Sequence, residues 1–255
     1  MDKKTKIIAY DLDQTLLRTD KTVGEYSAQI LERLRGMGHI TVTNTARSEI
    51  FTKELWSVLP PSDYYIYNGG ALVKDAEGNT VYRSEIPNEK VLQILADFMK
   101  LTEDFSVQTD EALFTSSDKI KRPEIRYFDF RESVFPYPAL KMLAALDSDD
   151  DVKSIATRHG VEAITYVGGR WRRFNTLGTS KLSGLKNLCS LLDIPLSDLI
   201  FFGDDFGDLE SIDTVGVGVL MKNADEALKT ESRTVSEYTN DEDGVARFLA
   251  EYFSL

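Results

Sequence analysis

Residues 6–15 read KIIAYDLDQT, an apolar segment that ends in two aspartates and a threonine. The run from Ile7 to Tyr10 predicts a strand that is buried on both faces. Alternate residues of a strand point the same way, so Asp11 and Asp13 share one side of the chain where it leaves the sheet. Two close carboxylates repel each other unless a cation lies between them or one of them binds a proton. The segment therefore predicts a carboxylate site at a sheet edge, or else a plain turn with a helix-capping aspartate.

Strand and helix patterns alternate on either side of this segment. Residues 27–37 have apolar residues at helical spacing, HITVTNTAR at 39–47 predicts a second strand, and 71–84 predict a hairpin that turns at Gly78-Asn79. Such alternation is typical of a parallel sheet with helices on both faces. The sequence therefore predicts an α/β fold with a doubly wound parallel-sheet (Rossmann-like) core.

The pattern changes after Pro87 and returns to helix–strand alternation near residue 176. Between these points lie a helix, EKVLQILADFMK, several short β-like pieces, and a helix followed by a strand, DVKSIATRHGVEAITYVG. We therefore predict that residues 1–83 and 176–255 form the core and that 84–175 form an inserted α+β domain. The acidic run 147–151 is interpreted as a solvated turn, and the two histidines as ordinary loop residues.

Composition excludes several classes of protein. The chain has 255 residues, 42% hydrophobic and 28% charged, which indicates a folded globular protein. Its net charge of −12 argues against a nucleic-acid or anionic-membrane partner, because such binding needs clustered Lys and Arg. No run approaches the about 20 apolar residues that span a bilayer, and the N-terminus has no signal-peptide pattern, so we expect a cytoplasmic location. The single Cys189 is expected to be a buried structural thiol.

A second acidic cluster, GDDFGD at 203–208, follows another apolar strand. It contributes Asp204, Asp205 and Asp208. Hard carboxylate oxygens suit Mg²⁺, which commonly takes one or two carboxylates and keeps waters for substrate oxygens. By itself GDD is compatible with a simple β-turn, but together with DLDQT it predicts a metal site built from the ends of neighbouring strands.

Other polar residues predict a phosphate site at the same edge. Thr43 and Asn44 end the second strand and can donate hydrogen bonds to phosphoryl oxygens, with Arg47 near them. Lys181 opens a helix and can supply a positive charge to an acidic pocket. Each residue alone has a simpler explanation, such as a helix cap for Thr43 or a surface lysine for Lys181. The prediction of a phosphate site therefore depends on all of these segments occurring together and in this order.

That ordered set resembles the four sequential motifs of the haloacid dehalogenase superfamily. The motifs are DLDQT, VTNTAR, SK and GDDFGD, and further matches are YNGG at 67–70, GVLMKNA at 218–224 and TNDEDGVA at 239–246. The order is most similar to the Cof-like sugar-phosphate phosphatases, whose α/β cap is inserted between the second and third motifs. The chain departs from the family pattern at Gln14, where glycine is usual, at Ala46 within the T-G-R pattern, and at Gly207, where asparagine is common.

The resemblance implies a mechanism. Asp11 would attack phosphorus and form an aspartyl phosphate, while Asp13 would protonate the leaving oxygen and then activate water. Mg²⁺ would be held by Asp11, the backbone carbonyl of Asp13, and Asp204, with Asp208 supporting. The transferring group would be stabilised by Thr43, Asn44, Arg47 and Lys181. The expected activity is a Mg²⁺-dependent phosphatase for a small phosphorylated metabolite, such as a sugar phosphate.

Three alternatives remain open from the sequence. A phosphomutase with the same cap type would keep every motif and return the phosphoryl group to the sugar. A receiver-like, non-catalytic phosphate-binding module would also use an aspartate, a lysine and a metal, but in about half this length. A catalytically inactive interaction protein would not need every reactive group to be present. The sequence does not indicate the oligomeric state.

The segment GGRWRRFN at 168–175 is a dense basic and aromatic cluster in an acidic chain. If it forms a strand, Arg172 and Phe174 share one face while Trp171 and Arg173 share the other. One of these arginines is predicted to contact the substrate. The alternative is a cation–π stack on the surface of the inserted domain.

Overall fold

A computed structural model describes residues 5–117, 122–165 and 170–255. Within these residues the chain forms two sheets, whose strands are β1 (Ile7–Tyr10), β2 (Ile40–Asn44), β3 (Tyr64–Tyr67), β4 (Leu72–Asp75), β5 (Thr80–Arg83), β6 (Phe105–Gln108), β7 (Leu113–Thr115), β8 (Ile125–Tyr127), β9 (Lys141–Ala145), β10 (Val161–Thr165), β11 (Trp171–Thr176), β12 (Leu199–Gly203), β13 (Val217–Leu220) and β14 (Thr234–Val235). The α-helices of the same residues are α1 (Glu25–Gly36), α2 (Glu49–Thr52), α3 (Asn88–Leu101), α4 (Asp149–His159), α5 (Lys181–Leu192), α6 (Leu209–Ile212) and α7 (Gly244–Phe253).

The larger sheet has the order β14-β13-β12-β1-β2-β3-β4-β5. Its strands from β14 to β3 are parallel, and β4 pairs antiparallel with β3. The chain builds outward from β1 through β2 to β3, and later from β12 through β13 to β14. The order therefore reverses between β1 and β12, and such a switch point is where open α/β sheets bind ligands.

Apolar side chains on both faces hold this sheet in the interior. Ile8 and Tyr10 belong to a cluster with residues of α1 and α7, whereas Ile7 and Ala9 belong to a cluster with residues of α5. All four are fully buried. Because successive strand residues point to opposite faces, a continuous apolar run is what a strand between two helical layers requires.

The smaller sheet has the order β10-β11-β9-β6-β7-β8, antiparallel except for the parallel pair β7–β8. One of its faces packs on α3 and α4, in a core that includes Phe98, Val107, Met142, Ile155 and Phe174. Several rings in this part of the chain also pack edge to face, including Phe114 on Phe135. The apolar residues of these two helices thus pack against alternate residues of the strands.

The structure divides into two compact units. The first comprises residues up to 47, 52–82 and 180–255, and the second comprises 48–51 and 83–179. The predicted α/β class, with a parallel sheet and a separate α+β part, is confirmed. The predicted domain boundaries, which assign residues 1–83 and 176–255 to the core and residues 84–175 to the inserted domain, remain a prediction.

Local predictions have mixed outcomes. The hairpin is confirmed as β4 and β5, and Gly78 at its turn has a φ of +85°. The interpretation of the acidic run 147–151 as a solvated turn is right only for residues 147 and 148, because Asp149 to Asp151 form the first turn of α4. Carboxylates interact favourably with the helix dipole there, and Ser148 caps the helix. His159 is likewise no loop residue: it ends α4, buried against Asp97.

Two further sequence predictions concern burial and membranes. Cys189 is buried, and burial raises the pKa of its thiol to about 11, as expected for a structural thiol. None of the described helices has the length and apolar character needed to cross a membrane.

In the cluster GGRWRRFN, Gly168 and Gly169 lie outside the described residues.

Candidate active site

The loop that follows β1 carries Asp11 at the switch point of the sheet. The backbone N–H of Asp11 donates to the carbonyl of Phe202 in β12, at 3.0 Å, so the aspartate is fixed to the neighbouring strand. The chain then turns at Gln14, which has a φ of +57°. Two amides hold this turn: Asn223 donates to the carbonyl of Gln14 at 2.8 Å, and Asn240 donates to that of Leu17 at 3.0 Å.

The second acidic cluster is set by the close approach of Gly203 to Asp208. A Cβ at Gly203 would lie 2.4 Å from the Asp208 side chain, so only glycine fits at this end of β12. Asp208 is fully buried, and its Oδ2 accepts hydrogen bonds from the backbone N–H groups of Asp204 and Asp205. The GDD segment thus wraps around the carboxylate of Asp208.

Lys181 reaches both acidic clusters from the first turn of α5. Its Nζ lies 2.6 Å from Oδ1 of Asp208 and 3.1 Å from Oδ2 of Asp11. Ser180 caps the helix in a capping box. Gly70, at a φ of +105°, lets the β3–β4 turn approach the carbonyl of Ser180, which a Cβ would meet at 2.0 Å.

The carboxylates of Asp11, Asp204 and Asp208 form one group. Each offers an oxygen within 4.8 Å of the others. Burial, opposed by Lys181, raises the pKa of Asp11 to about 6 and that of Asp208 to about 7. Burial and the charge of Asp208 raise the pKa of Asp204 to about 7. For Lys181, burial opposes the charges of Asp11 and Asp208, which raise its pKa.

This charge balance fits a divalent cation. Three close carboxylates face one ammonium group, so a cation would relieve the mutual repulsion that, together with burial, raises their pKa values. Hard oxygen donors are the ligands that Mg²⁺ prefers. Thr15 also donates to Oδ1 of Asp204 at 2.9 Å, which orients that carboxylate.

Asp13 lies in a separate, partly exposed ion-pair cluster. Arg47 donates to both of its carboxylate oxygens, at 2.6 and 2.8 Å, and Lys21 donates at 2.8 Å. Burial would raise the pKa of Asp13, but these hydrogen bonds outweigh it and lower the pKa to about 2. Asp13 is therefore a carboxylate in this arrangement, and its side chain does not join the group of Asp11, Asp204 and Asp208.

The structure separates Thr43 from Asn44. The Thr43 hydroxyl lies 2.9 Å from that of Ser62, in a buried network with Tyr10. The Asn44 amide instead donates to the backbone carbonyl of Lys181 at 3.1 Å. Neighbouring residues of a strand point to opposite faces, so the two side chains lie on opposite faces of the sheet. A contact of either with a phosphoryl group stays a prediction.

Sequence reasoning missed several residues that support this site. Lys21 pairs with Asp13, Asn223 and Asn240 hold the turn at Gln14, and Thr45 accepts a hydrogen bond from the backbone N–H of Arg47. Asn223 and Asn240 lie in GVLMKNA and TNDEDGVA, so the family resemblance was a signal for them. No pattern in the sequence indicated Lys21.

A family model described as haloacid dehalogenase-like hydrolase matches residues 8–249. The chain belongs to this family. Its curated relatives include the 5-amino-6-(5-phospho-D-ribitylamino)uracil phosphatase YitU of Bacillus subtilis (strain 168), which is 28% identical with 100% of both chains covered. A second is the phosphatase YcsE of the same organism, named for the same compound and 25% identical over 97% of this chain and 96% of that one.

A solved haloacid dehalogenase-like hydrolase from B. subtilis matches with a TM-score of 0.81 at 22% identity, covering 96% of this chain and 99% of the other. At this identity the likeness shows a shared fold. The family resemblance inferred from the four motifs is confirmed, and the chain is a haloacid dehalogenase-like hydrolase whose relatives include phosphatases.

Proposed function

We propose that this haloacid dehalogenase-like hydrolase is a Mg²⁺-dependent phosphatase that acts on a small phosphorylated metabolite through an aspartyl phosphate on Asp11. The observation that carries the proposal is the group formed by buried Asp11 and Asp208 and half-buried Asp204, with Lys181 between Asp11 and Asp208. A carboxylate nucleophile, a fixed ammonium and a place for a cation are what phosphoryl transfer requires.

The first step forms one bond and breaks another. A carboxylate oxygen of Asp11 attacks phosphorus while the bond from phosphorus to the leaving oxygen breaks. Asp13 gives a proton to that leaving oxygen. Since the ion pairs with Arg47 and Lys21 hold the pKa of Asp13 near 2, this step requires that they open and that Asp13 bind a proton.

The second step returns Asp11 to its starting state. Asp13, now a carboxylate, takes a proton from water as the water attacks phosphorus, and the bond from phosphorus to Asp11 breaks. Arg47 and Lys21 favour this carboxylate form, because both stabilise its negative charge. The ion pairs therefore keep Asp13 in the deprotonated form from which the second step starts, although the low pKa also makes it a weaker base.

Lys181 and the metal would act on the charge of the transferring group. Lys181 stays protonated between Asp11 and Asp208, so it can attract a phosphoryl oxygen. Mg²⁺, held by Asp11 and Asp204 with the backbone carbonyl of Asp13 and with Asp208 supporting, would supply the positive charge that lets an anionic phosphate approach these carboxylates.

The substrate is proposed from relatives and from family membership. Two relatives bear names that specify 5-amino-6-(5-phospho-D-ribitylamino)uracil, a phosphorylated polyol on a base. We propose a substrate of this general kind, either that compound or a sugar phosphate, with the domain of residues 84–175 as the cap that selects the leaving group. The acidic chain suits such a small metabolite in the cytoplasm better than nucleic acid or membrane.

A phosphate-release assay tests the proposal. Wild type is incubated with a panel of sugar phosphates, polyol phosphates and p-nitrophenyl phosphate, with Mg²⁺ or with excess chelator. We expect phosphate release only with Mg²⁺, and none from Asp11→Asn, because an amide is a poor nucleophile. An isomeric sugar phosphate without free phosphate would indicate a mutase instead. Equal phosphate release by Asp11→Asn would contradict the aspartyl-phosphate mechanism.

A further inference from the structure

The turn between β3 and β4 contains a buried amide that the mechanism described so far does not use. Asn68 directly follows β3 and has a φ of +54°, and Gly69 and Gly70 after it also have positive φ. Asn68 is 1% exposed, and neither its Nδ2 nor its Oδ1 has a hydrogen-bond partner among the described residues. Buried polar atoms rarely lack partners, and those that do point to a ligand or water that pairs with them.

Backbone hydrogen bonds attach this turn to the loop that carries Arg47. The N–H of Asn68 donates to the carbonyl of Arg47 at 2.7 Å, and the N–H of Gly69 donates to the carbonyl of Thr45 at 3.0 Å. The Arg47 side chain in turn donates to both carboxylate oxygens of Asp13. The backbone of Asn68 is therefore one hydrogen bond away from a residue that contacts Asp13.

The same turn packs against the start of the helix that carries Lys181. A Cβ at Gly70 would lie 2.0 Å from the carbonyl oxygen of Ser180, the residue before Lys181. The turn thus lies between the two elements that supply Arg47 and Lys181 to the candidate active site. Burial does not separate Asn68 from this site, because Lys181 is itself only 6% exposed.

The amides of Asn44 and Asn68 differ in the atoms that lack a partner. Nδ2 of Asn44 donates to the carbonyl of Lys181, so the atom without a partner among the described residues is its acceptor, Oδ1. Asn68 has both a donor and an acceptor in that condition. A phosphoryl oxygen accepts hydrogen bonds and so matches Nδ2 of Asn68, and a singly protonated phosphate also has a P–O–H group that matches Oδ1.

We propose, on the basis of the phosphatase function proposed above, that Asn68 binds the phosphoryl group. Its Nδ2 donates to a phosphoryl oxygen of the substrate or of released phosphate, and its Oδ1 accepts from the P–O–H group of singly protonated phosphate. The amide adds a donor beside Lys181 without adding charge. The alternative is an amide that pairs with a buried water and serves only to hold the turn.

Calorimetric titration of the full chain with inorganic phosphate in the presence of Mg²⁺ tests the assignment, because phosphate binds without turnover. Asn68→Gly removes the amide while glycine keeps the positive φ. We expect the Kd for phosphate to rise about tenfold in this variant, through loss of a hydrogen bond to a charged ligand. Asn68→Asp should weaken binding further, since a carboxylate repels phosphate.

Asp193→Gly is the matched control for the backbone change. Asp193 also has a positive φ, +53°, and it lies at the opposite end of α5 from Lys181. Its Kd for phosphate should stay within about twofold of wild type, because the substitution changes only the turn at that end. Thermal unfolding shows that each variant is folded at the titration temperature. If Asn68→Gly changes the Tm but leaves the Kd unchanged, the amide is structural and the assignment is wrong.

Steady-state kinetics separate a phosphoryl contact from a contact with the leaving group. For Asn68→Gly, kcat/KM should fall by a similar factor for p-nitrophenyl phosphate and for sugar and polyol phosphates, because all of them share the phosphoryl group. A loss confined to the sugar and polyol phosphates would contradict the assignment.

The same measurements distinguish failure of this assignment from failure of the proposed function. If wild type neither binds phosphate nor releases it from any ester, the proposed function fails and the assignment fails with it. If wild type does both and Asn68→Gly equals it in Kd and in kcat/KM, only the assignment to Asn68 fails.

Discussion

At the scale of single residues, Gln14 shows how a departure from a family pattern is accommodated. Its φ of +57° lies in the left-handed region, where glycine is favoured and other residues are strained by about 1 kcal/mol or more. Its side chain offsets part of this strain, because Oε1 accepts a hydrogen bond from Asn240 at 3.4 Å. The turn after Asp11 therefore tolerates glutamine although glycine would be the simpler choice.

We therefore expect Gln14→Gly to change the free energy of unfolding by less than about 1 kcal/mol, because lost strain and lost hydrogen bonding oppose each other. Gln14→Val should destabilise by about 1–3 kcal/mol, since a β-branched residue is disfavoured at positive φ. Urea titrations of both variants measure the difference. Similar stabilities for Gly and Val at this position would show that the backbone conformation is not what constrains it.

Asp13 gives a prediction about the two chemical steps. The Asp13→Asn variant can neither protonate a leaving oxygen nor activate water, while Asp11 and its neighbours are unchanged. A good aryl leaving group needs little protonation, so formation of the aspartyl phosphate should fall much less for p-nitrophenyl phosphate than for an alkyl phosphate. Burst-phase measurements of phenolate and alcohol release check this. An equal loss in the first step for both substrates would exclude Asp13 as the acid.

Sequence motifs predicted which charged residues of the site would meet, but they did not predict side-chain orientation. Asp11, Asp204, Asp208 and Lys181 converge because each follows the end of a parallel strand or opens a helix at one sheet edge. Thr43 and Asn44 were both expected to face phosphate. In the structure their side chains have different partners, because the Thr43 hydroxyl lies beside that of Ser62 and the Asn44 amide donates to the carbonyl of Lys181, and a contact with phosphate stays a prediction for both.

At the scale of elements, α3 and α4 are linked by a buried carboxylate. Oδ2 of Asp97 in α3 lies 2.8 Å from Nε2 of His159 and 2.7 Å from Nη1 of Arg158, both in α4, and Lys100 lies 3.1 Å from Oδ1. Burial opposes these partners, whose combined effect lowers the pKa of Asp97. The link was not predicted, because side chains that are adjacent in space but 62 residues apart leave no local pattern.

The lowered pKa sets the sign of a pH dependence. An aspartate whose folded-state pKa is depressed stabilises the fold above its unfolded pKa of about 3.9, and this contribution is lost as pH falls through the folded value. We expect Asp97→Asn to cost about 1–3 kcal/mol at pH 7 and progressively less as pH falls below about 4. Urea unfolding followed by Trp171 fluorescence in the Trp56→Phe background measures this across pH.

Lys100→Met is the matched control for this link. The lysine side chain is 70% exposed, so the loss of its ion pair should change stability by less than about 1 kcal/mol. If Asp97→Asn were no more destabilising than Lys100→Met, or if its cost did not depend on pH, the link between α3 and α4 would not rest on the carboxylate charge.

At the scale of the whole molecule, the sequence predicted that a parallel sheet is interrupted by an α+β insertion, because hydrophobic periodicity and the order of motifs are both visible along a chain. It did not predict how the second unit arranges its strands. The order β10-β11-β9-β6-β7-β8 depends on long-range pairing between short segments, such as Phe105–Gln108 with Lys141–Ala145. Short strands carry weak local signals, so their partners are chosen by packing with the rest of the sheet.

The sheet of the first unit joins its two halves at β1 and β12, and the carboxylates of Asp11, Asp204 and Asp208 lie where these strands end. In an acid whose folded-state pKa is raised, the stabilising contribution is present below its unfolded pKa and is lost as pH rises through the folded value. Burial and the charge of Asp208 raise the pKa of Asp204 to about 7. Without a cation, ionised Asp204 therefore destabilises the fold at pH 8, and a bound cation reverses that effect.

We expect Mg²⁺ to raise the Tm of wild type at pH 8, since a ligand that binds only the folded state stabilises it by about 2.7 kcal/mol at a concentration of 100 times its Kd. In excess chelator, Asp204→Ala should be as stable as wild type or more stable, because it removes one of three repelling carboxylates. With Mg²⁺ the order should reverse, because the variant has lost a ligand. Thermal unfolding of both proteins, with Na⁺ at matched ionic strength as the control, measures the crossing. An equal Mg²⁺ shift in both proteins would place the cation elsewhere, and no shift in wild type would contradict a metal site at this edge of the sheet.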